Sequence, residues 1–185
     1  MSPALMLEFL NARTDIRRKA GEIYGAIVTQ ARQPALYAGL GVPDTPSGRY
    51  EMVVLHLFLV MERLGATPEA AGDLPRLLVE AFIADMDDSL REMATGDLTV
   101  PKKVRRAATG LYERSLAYRL SLAEPDEAGL REVLAEHVYG RPDAAQVGTL
   151  ARYIAASSRA MSAADGKQVA AGRPAFIDPA STTEA

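Results

Sequence analysis

The sequence predicts an all-α fold, a single-domain bundle of about six to eight helices. Apolar residues recur at i, i+4 and i+7 along most of the chain, and no segment shows the strict alternation that is typical of strands. The central run from Met52 to Met61 is apolar except for His56, so we expect its helix to be surrounded by the others. With 185 residues, of which 48% are hydrophobic, the chain can form one domain with a substantial core.

Composition excludes several classes of protein. The chain has no cysteine, which excludes disulfides and thiolate metal sites. The net charge of −3 gives no overall field for holding polyanions. The longest apolar run is far shorter than the roughly 20 residues of a transmembrane helix, and the N-terminus has no signal-peptide pattern. We therefore expect a cytoplasmic protein.

The chain divides into three predicted parts. Residues 1–14 form a short amphipathic segment beside a basic cluster, which could lie on an anionic membrane surface; docking on the core, with solvated charges, is the preferred interpretation. Residues 15–164 form the helical domain, whose first helix begins at Asp15. From about Asp165 the periodicity is lost, so we expect residues 165–185 to be a flexible tail.

Within the domain, proline, glycine and capping residues set the predicted helix boundaries. A short helix follows Pro34, and Thr45 with Pro46 begins the central apolar helix. Asp73 begins the next one. Further helices start at Pro101, Asp126 and Asp143.

The helices on either side of the turn at residues 94–100 carry opposite charge. Asp85, Asp88 and Glu92 share one face of the first, at i, i+3 and i+7, and Asp87 can pair with Arg91. The helix that follows Pro101 begins with four cations: Lys102, Lys103, Arg105 and Arg106. A short connection makes such helices antiparallel neighbours. Cations are unfavourable at a helix N-terminus, so the acidic helix or an acidic partner must offset them.

The sequence contains few residues that could form a catalytic or cofactor-binding site. His56 could be a general base or a haem ligand, but no nucleophile stands at a recognisable spacing, so both His56 and His137 are interpreted as packed side chains. Neither histidine has a glutamate three residues before it, as helical di-iron sites require, and phosphate-binding motifs are absent. The sequence predicts no enzyme, cofactor or metal. A ligand pocket near His56 stays open as an alternative.

The basic cluster Lys102–Arg106 could contact RNA or a ribosome, although four cations give only a modest, salt-sensitive affinity. A solvated face, or a surface that recognises another protein, is the preferred interpretation. In that hypothesis the charged hairpin orients the partner, and exposed apolar residues supply the contact.

Two long segments, Tyr24–Leu64 and Ala81–Tyr118, resemble the ubiquinol–cytochrome c chaperone family. The order DMDDSLREM, GDL, PKKV carries the resemblance, which extends from about Ile23 to about Tyr153. It implies a non-enzymatic, α-helical factor for the assembly of respiratory complex III. Mitochondrial members of the family bind newly made cytochrome b and work with a small partner protein near the ribosome.

For this chain the resemblance implies cytochrome b as the partner, and a small assembly partner as a further one. It also implies a cytoplasmic protein that works at the surface of the inner membrane. The residues expected to face the partner are Tyr37, Asp44, Asp85, Asp87, Asp88, Arg91, Gly96, Asp97, Lys102, Lys103 and Arg106.

Overall fold

A computed structural model describes residues 3–92, 100–141 and 145–182, with the side chains of 12–89, 91, 101–141 and 145–182. Its elements confirm the all-α, single-domain prediction. The helices are α1 (Pro3–Ala31), α2 (Pro34–Ala38), α3 (Pro46–Gly65), α4 (Pro68–Ala71), α5 (Leu74–Glu92), α6 (Val100–Leu122), α7 (Ala128–Leu134), α8 (Val147–Ala163) and α9 (Gly166–Ala170). A π-helical turn, Ala135–Tyr139, extends α7, and a 3-10 turn covers Pro179–Thr182.

Helix α3 is the centre of the bundle, as its apolar sequence predicts. Every side chain from Met52 to Val60 is buried, and α1, α5, α6 and α8 all pack against the helix. Thr45 caps its N-terminus, because the threonine hydroxyl accepts a hydrogen bond from the Gly48 amide at 3.1 Å. A β-carbon at Gly48 would lie 2.0 Å from the Pro43 carbonyl oxygen, so only glycine fits there.

Helix α1 runs without a break through the predicted boundary at residue 14. Asp15, expected to cap a new helix, instead forms ion pairs within α1, with Arg18 and with Lys19. Such pairs, three and four residues apart, stabilise a continuing helix. The charged stretch that suggested a boundary is therefore part of one long helix, whose Ile23 and Ile27 are fully buried.

The structure also differs from the predicted flexible tail. Asp165 caps α9 by accepting a hydrogen bond from the Lys167 amide at 2.9 Å, and Val169 is completely buried. Farther along, the ring of Phe176 meets the His56 ring edge-on at 5.6 Å. Single apolar residues such as Val169 and Phe176 therefore hold residues 166–182 against the core. The sequence did not indicate this, because a helix as short as α9 shows no helical period. The division of the chain at 14 and 164 stays a prediction.

Helices α5 and α6 pack against each other and form the predicted antiparallel hairpin. Tyr50 of α3 touches both helices: its ring lies 6.1 Å from the Phe82 ring, and its hydroxyl donates to the Ala107 carbonyl at 3.0 Å. Phe82 and Ala107 lie at similar distances along the chain from the connection, as hairpin partners must. The connection itself, with Gly96 and Asp97, lies outside the described residues.

Candidate partner-binding surface

Two of the predicted partner-facing residues, Tyr37 and Asp44, bond locally. The Tyr37 hydroxyl donates to the Ala31 carbonyl at 2.7 Å, and burial raises the pKa of this phenol. The Asp44 carboxylate accepts a hydrogen bond from Arg49 at 2.7 Å, which lowers the pKa of Asp44. These contacts hold α2 against the end of α1 and fix the loop that enters α3.

The acidic face of α5 is divided between two environments. Asp85 faces α1, where one of its carboxylate oxygens accepts a hydrogen bond from the Tyr24 hydroxyl at 2.8 Å. Burial and this carboxylate together raise the pKa of Tyr24. Asp87 pairs with Arg91 at 2.7 Å, as predicted, and Asp88 is exposed. Asp85 is therefore used within the fold, whereas the exposed Asp88 is accessible to a partner.

The basic start of α6 is solvent-exposed at Lys102, Lys103, Arg105 and Arg106. In the described part of the chain none of the four forms an ion pair. The expectation that acids of α5 offset these charges thus finds no support among the described residues. An acidic partner remains the other way to offset them.

The later cations of α6 bind α3 instead. Arg114 pairs with Glu51 at 2.6 Å, and Arg119 with Glu62 at 2.6 Å. Glu51 is almost fully buried, so burial raises its pKa, while the Arg114 guanidinium works in the opposite direction. Sequence reasoning missed this pair, because Glu51 stands next to the most apolar run of the chain.

Helix α6 also exposes an apolar row that sequence reasoning did not name. Tyr112, Leu116 and Leu120 are 75%, 45% and 61% exposed, and their spacing of four residues puts them on one side of the helix. At about 100° per residue, Lys102 and Arg105 lie on that same side, nearer the N-terminus. We call these five residues the α6 outer face. The signal was present in the sequence: the three residues recur every four positions, away from the side of α6 that buries Leu111 and Tyr118.

The margins of the α6 outer face carry charge of both signs. Glu113 is exposed on one side. On the other side, Arg119 holds Glu62, whose side chain is 38% exposed. The result is a narrow apolar row with charged edges and a basic end.

His56, the candidate catalytic or ligand-binding residue, lies inside the core with no exposed surface. Its Nδ1 donates to the Met52 carbonyl at 2.7 Å, since a carbonyl can only accept, and its Nε2 therefore accepts from the Tyr153 hydroxyl at 2.8 Å. Burial lowers the pKa of His56 to about 4. The prediction of a neutral, packed histidine is confirmed.

Two surface depressions lie elsewhere, one of about 410 Å³ beside Arg63 and Lys167, and one of about 650 Å³ beside Arg131 and Arg141. His56 lines neither. Among the described residues, no group of acidic or histidine side chains is arranged to hold a metal ion. The exposed charged end of the hairpin and the α6 outer face therefore form the best candidate for a functional surface.

Comparison with known proteins agrees with the architecture. The family model described as ubiquinol-cytochrome C chaperone matches residues 38–176, a range that contains the whole α6 outer face. Among solved structures, the chain is similar to the crystal structure of the Cbp3 homolog from Brucella abortus, with a TM-score of 0.83 and 31% sequence identity. The match covers 95% of this chain and 98% of that one. No curated protein matches the chain.

Proposed function

The chain belongs to the ubiquinol-cytochrome C chaperone family, and on that premise we propose that it assists the assembly of respiratory complex III by binding newly made cytochrome b. The likeness to the Brucella protein, which extends over almost the full length of both chains, supports an assembly role. Cytochrome b is the client that the sequence resemblance implies. Membership of a chaperone family also implies that the protein is not an enzyme, and the proposal includes no cofactor.

One observation carries the proposal: the α6 outer face exposes three large apolar side chains in a row. A newly made membrane protein exposes apolar segments to water until it is assembled. An apolar row on a surface helix offers such a segment a place to bind. A contiguous apolar surface of this kind typically marks an interaction site.

The charged end of the hairpin would orient the client. Asp87, Asp88 and Arg91 near the end of α5, with the basic start of α6, bring both signs of charge to one end of the hairpin, and complementary charge mainly sets register and encounter rate. Gly96 and Asp97 belong to the same predicted surface. Tyr37, Asp44 and Asp85 already bond within the chain, so their role in this proposal is to hold the surface in place.

No helix in the described ranges is long and apolar enough to cross a bilayer. The proposed place of action is the cytoplasmic side of the inner membrane, reached by peripheral contact, where cytochrome b is inserted. A small assembly partner remains a prediction.

The test is retention of the client in the native host. Tagged wild-type protein should retain cytochrome b from solubilised membranes, whereas Lys103→Glu, Asp88→Lys and Leu116→Glu should retain much less and should lower the amount of complex III. Arg159, exposed on α8, supplies the control: Arg159→Glu should behave as wild type. Immunoblots and reduced-minus-oxidised haem spectra measure both quantities. Normal cytochrome b levels in hosts carrying folded variants would contradict the proposal.

The two alternative functions have weaker support. A ligand pocket at His56 has no opening, because that side chain is fully buried. RNA contact through Lys102–Arg106 has the exposure it needs, but the Tyr112, Leu116 and Leu120 row is unsuited to phosphate. Retention of RNA by wild-type protein at physiological salt, lost in Lys103→Glu, would favour the RNA function.

A further inference from the structure

The charges of the α6 outer face are separated along the helix, and this constrains the partner. Lys102 and Arg105 occupy its start, and neither forms an ion pair in the described ranges. Tyr112, Leu116 and Leu120 follow over about 12 Å. From Lys102 to Leu120 the face is about 27 Å long, or about five helical turns.

The margins argue against a lipid surface as the occupant. Helices that lie in a membrane interface have a broad apolar face edged by cations. Here the apolar row is one residue wide, with Glu113 exposed on one side and the Arg119–Glu62 ion pair on the other. Contact with an anionic bilayer would bring the Glu113 carboxylate toward like charge and would strip both this carboxylate and the ion pair of water.

A narrow apolar row between charged edges is the pattern by which one helix packs along another. Helical partners of this kind present apolar residues at i, i+3, i+4 and i+7, which fit between the side chains of the receiving helix. The cations at the start of α6 oppose the dipole of their own helix. Acidic groups brought by the partner would relieve that opposition.

We propose that the α6 outer face receives a single amphipathic helix of about five turns. Its apolar residues lie along Tyr112, Leu116 and Leu120, and acidic residues at one end lie over Lys102 and Arg105. The inference rests on the proposed function in one respect: it takes the helix to be part of the client.

Synthetic helical peptides test this with the full-length protein. One fluorescent peptide of about 18 residues carries leucines at i, i+3, i+4 and i+7 and glutamates at one end. A second peptide has lysines in place of those glutamates. The acidic peptide should bind at least about tenfold more tightly than the basic one. Leu116→Glu and Arg105→Glu should each weaken its binding by about tenfold, as is typical of central contacts.

Matched controls lie on α8, where Arg159 and Ala163 are exposed. Arg159→Glu repeats the charge reversal and Ala163→Glu repeats the introduced carboxylate, and neither should change peptide binding. Phosphatidylglycerol vesicles provide the lipid arm of the experiment, in which wild type and Leu116→Glu should bind equally.

Three results would overturn the inference: no binding of the acidic peptide, equal binding of the two peptides, or vesicle binding that Leu116→Glu abolishes. The proposed function fails separately. If cytochrome b is retained but the acidic peptide is not bound, the chaperone role stands and the helical partner falls. If the peptide binds but cytochrome b is never retained, the α6 outer face still binds a helix, but that helix belongs to a protein other than cytochrome b.

Discussion

Glu51 and His56 are two buried polar residues of α3, and each forms bonds to groups within the fold. Glu51 is neutralised by Arg114, whose guanidinium also lies over the Tyr50 ring at 5.4 Å. His56 is kept neutral by burial, which lowers its pKa, and both of its ring nitrogens form hydrogen bonds within the core. Neither polar group is free to do chemistry, because its bonding capacity is used to hold helices together.

Glu51→Gln should lower the free energy of unfolding by roughly 3 kcal/mol, because it leaves a largely buried guanidinium without its counter-charge. Glu62→Gln is the matched control, since the same substitution on the same helix breaks an exposed pair. That change should cost less than about 1 kcal/mol. Urea unfolding followed by circular dichroism measures the free energy of unfolding of both variants. Equal decreases would show that the Glu51–Arg114 ion pair does not stabilise the fold more than the exposed pair does.

His56 should make the protein less stable in acid. Burial lowers its pKa to about 4 in the folded protein, against an ordinary value of 6.5 for histidine, so the folded state favours the neutral ring. The stability that this contributes is complete above about pH 6.5 and is lost as the pH falls toward 4, by about 3 kcal/mol in all. The free energy of unfolding of wild type and of His56→Gln, measured between pH 7 and 4, should fall less steeply with decreasing pH in the variant. Parallel slopes would contradict the lowered pKa.

At the scale of the element, α6 has two apolar sides with different tasks. Leu111 and Tyr118 point inward and are buried, whereas Tyr112, Leu116 and Leu120 point outward. Helical period predicts that Leu111 and Tyr118, seven residues apart, lie on one side of the helix and can face the other helices. It could not say whether the second row faced another helix or water, since that depends on which elements surround α6.

The last element of the chain was the one that the sequence could least predict. Residues 166–182 lack helical period, yet Gln30 donates to the Ile177 carbonyl at 2.7 Å and Phe176 packs on His56. The two contacts join residues that are 147 and 120 positions apart in the sequence. No local signal encodes them. By contrast, the Thr45 cap and the antiparallel hairpin follow from adjacent residues, and both were predictable.

Phe176→Ala should therefore destabilise the whole domain, by about 2 kcal/mol for a half-buried aromatic side chain. Tyr112→Ala removes a ring of similar size from an exposed site and should cost less than about 0.5 kcal/mol. Thermal unfolding compares the two variants. If Phe176→Ala unfolds like wild type, the C-terminal segment does not contribute to the core.

At the scale of the whole molecule, a net charge of −3 coexists with an exposed basic cluster and an apolar row on one helix. The two features should respond differently to salt, because ions screen exposed charges but not apolar contacts. Retention of cytochrome b should fall by a few-fold between low and physiological salt in wild type. The Lys103→Glu variant should retain less cytochrome b than wild type at low salt, and its retention should change less with salt concentration.

Leu116→Glu should instead lower retention at every salt concentration, since it removes the contact itself while leaving the basic cluster in place. Measuring cytochrome b retained by the three proteins over a salt series separates orientation from contact. If retention by wild type does not depend on salt concentration, the charged hairpin does not contribute to binding of cytochrome b. Retention by Leu116→Glu equal to wild type would remove the apolar row, and with it the surface on which the proposed function depends.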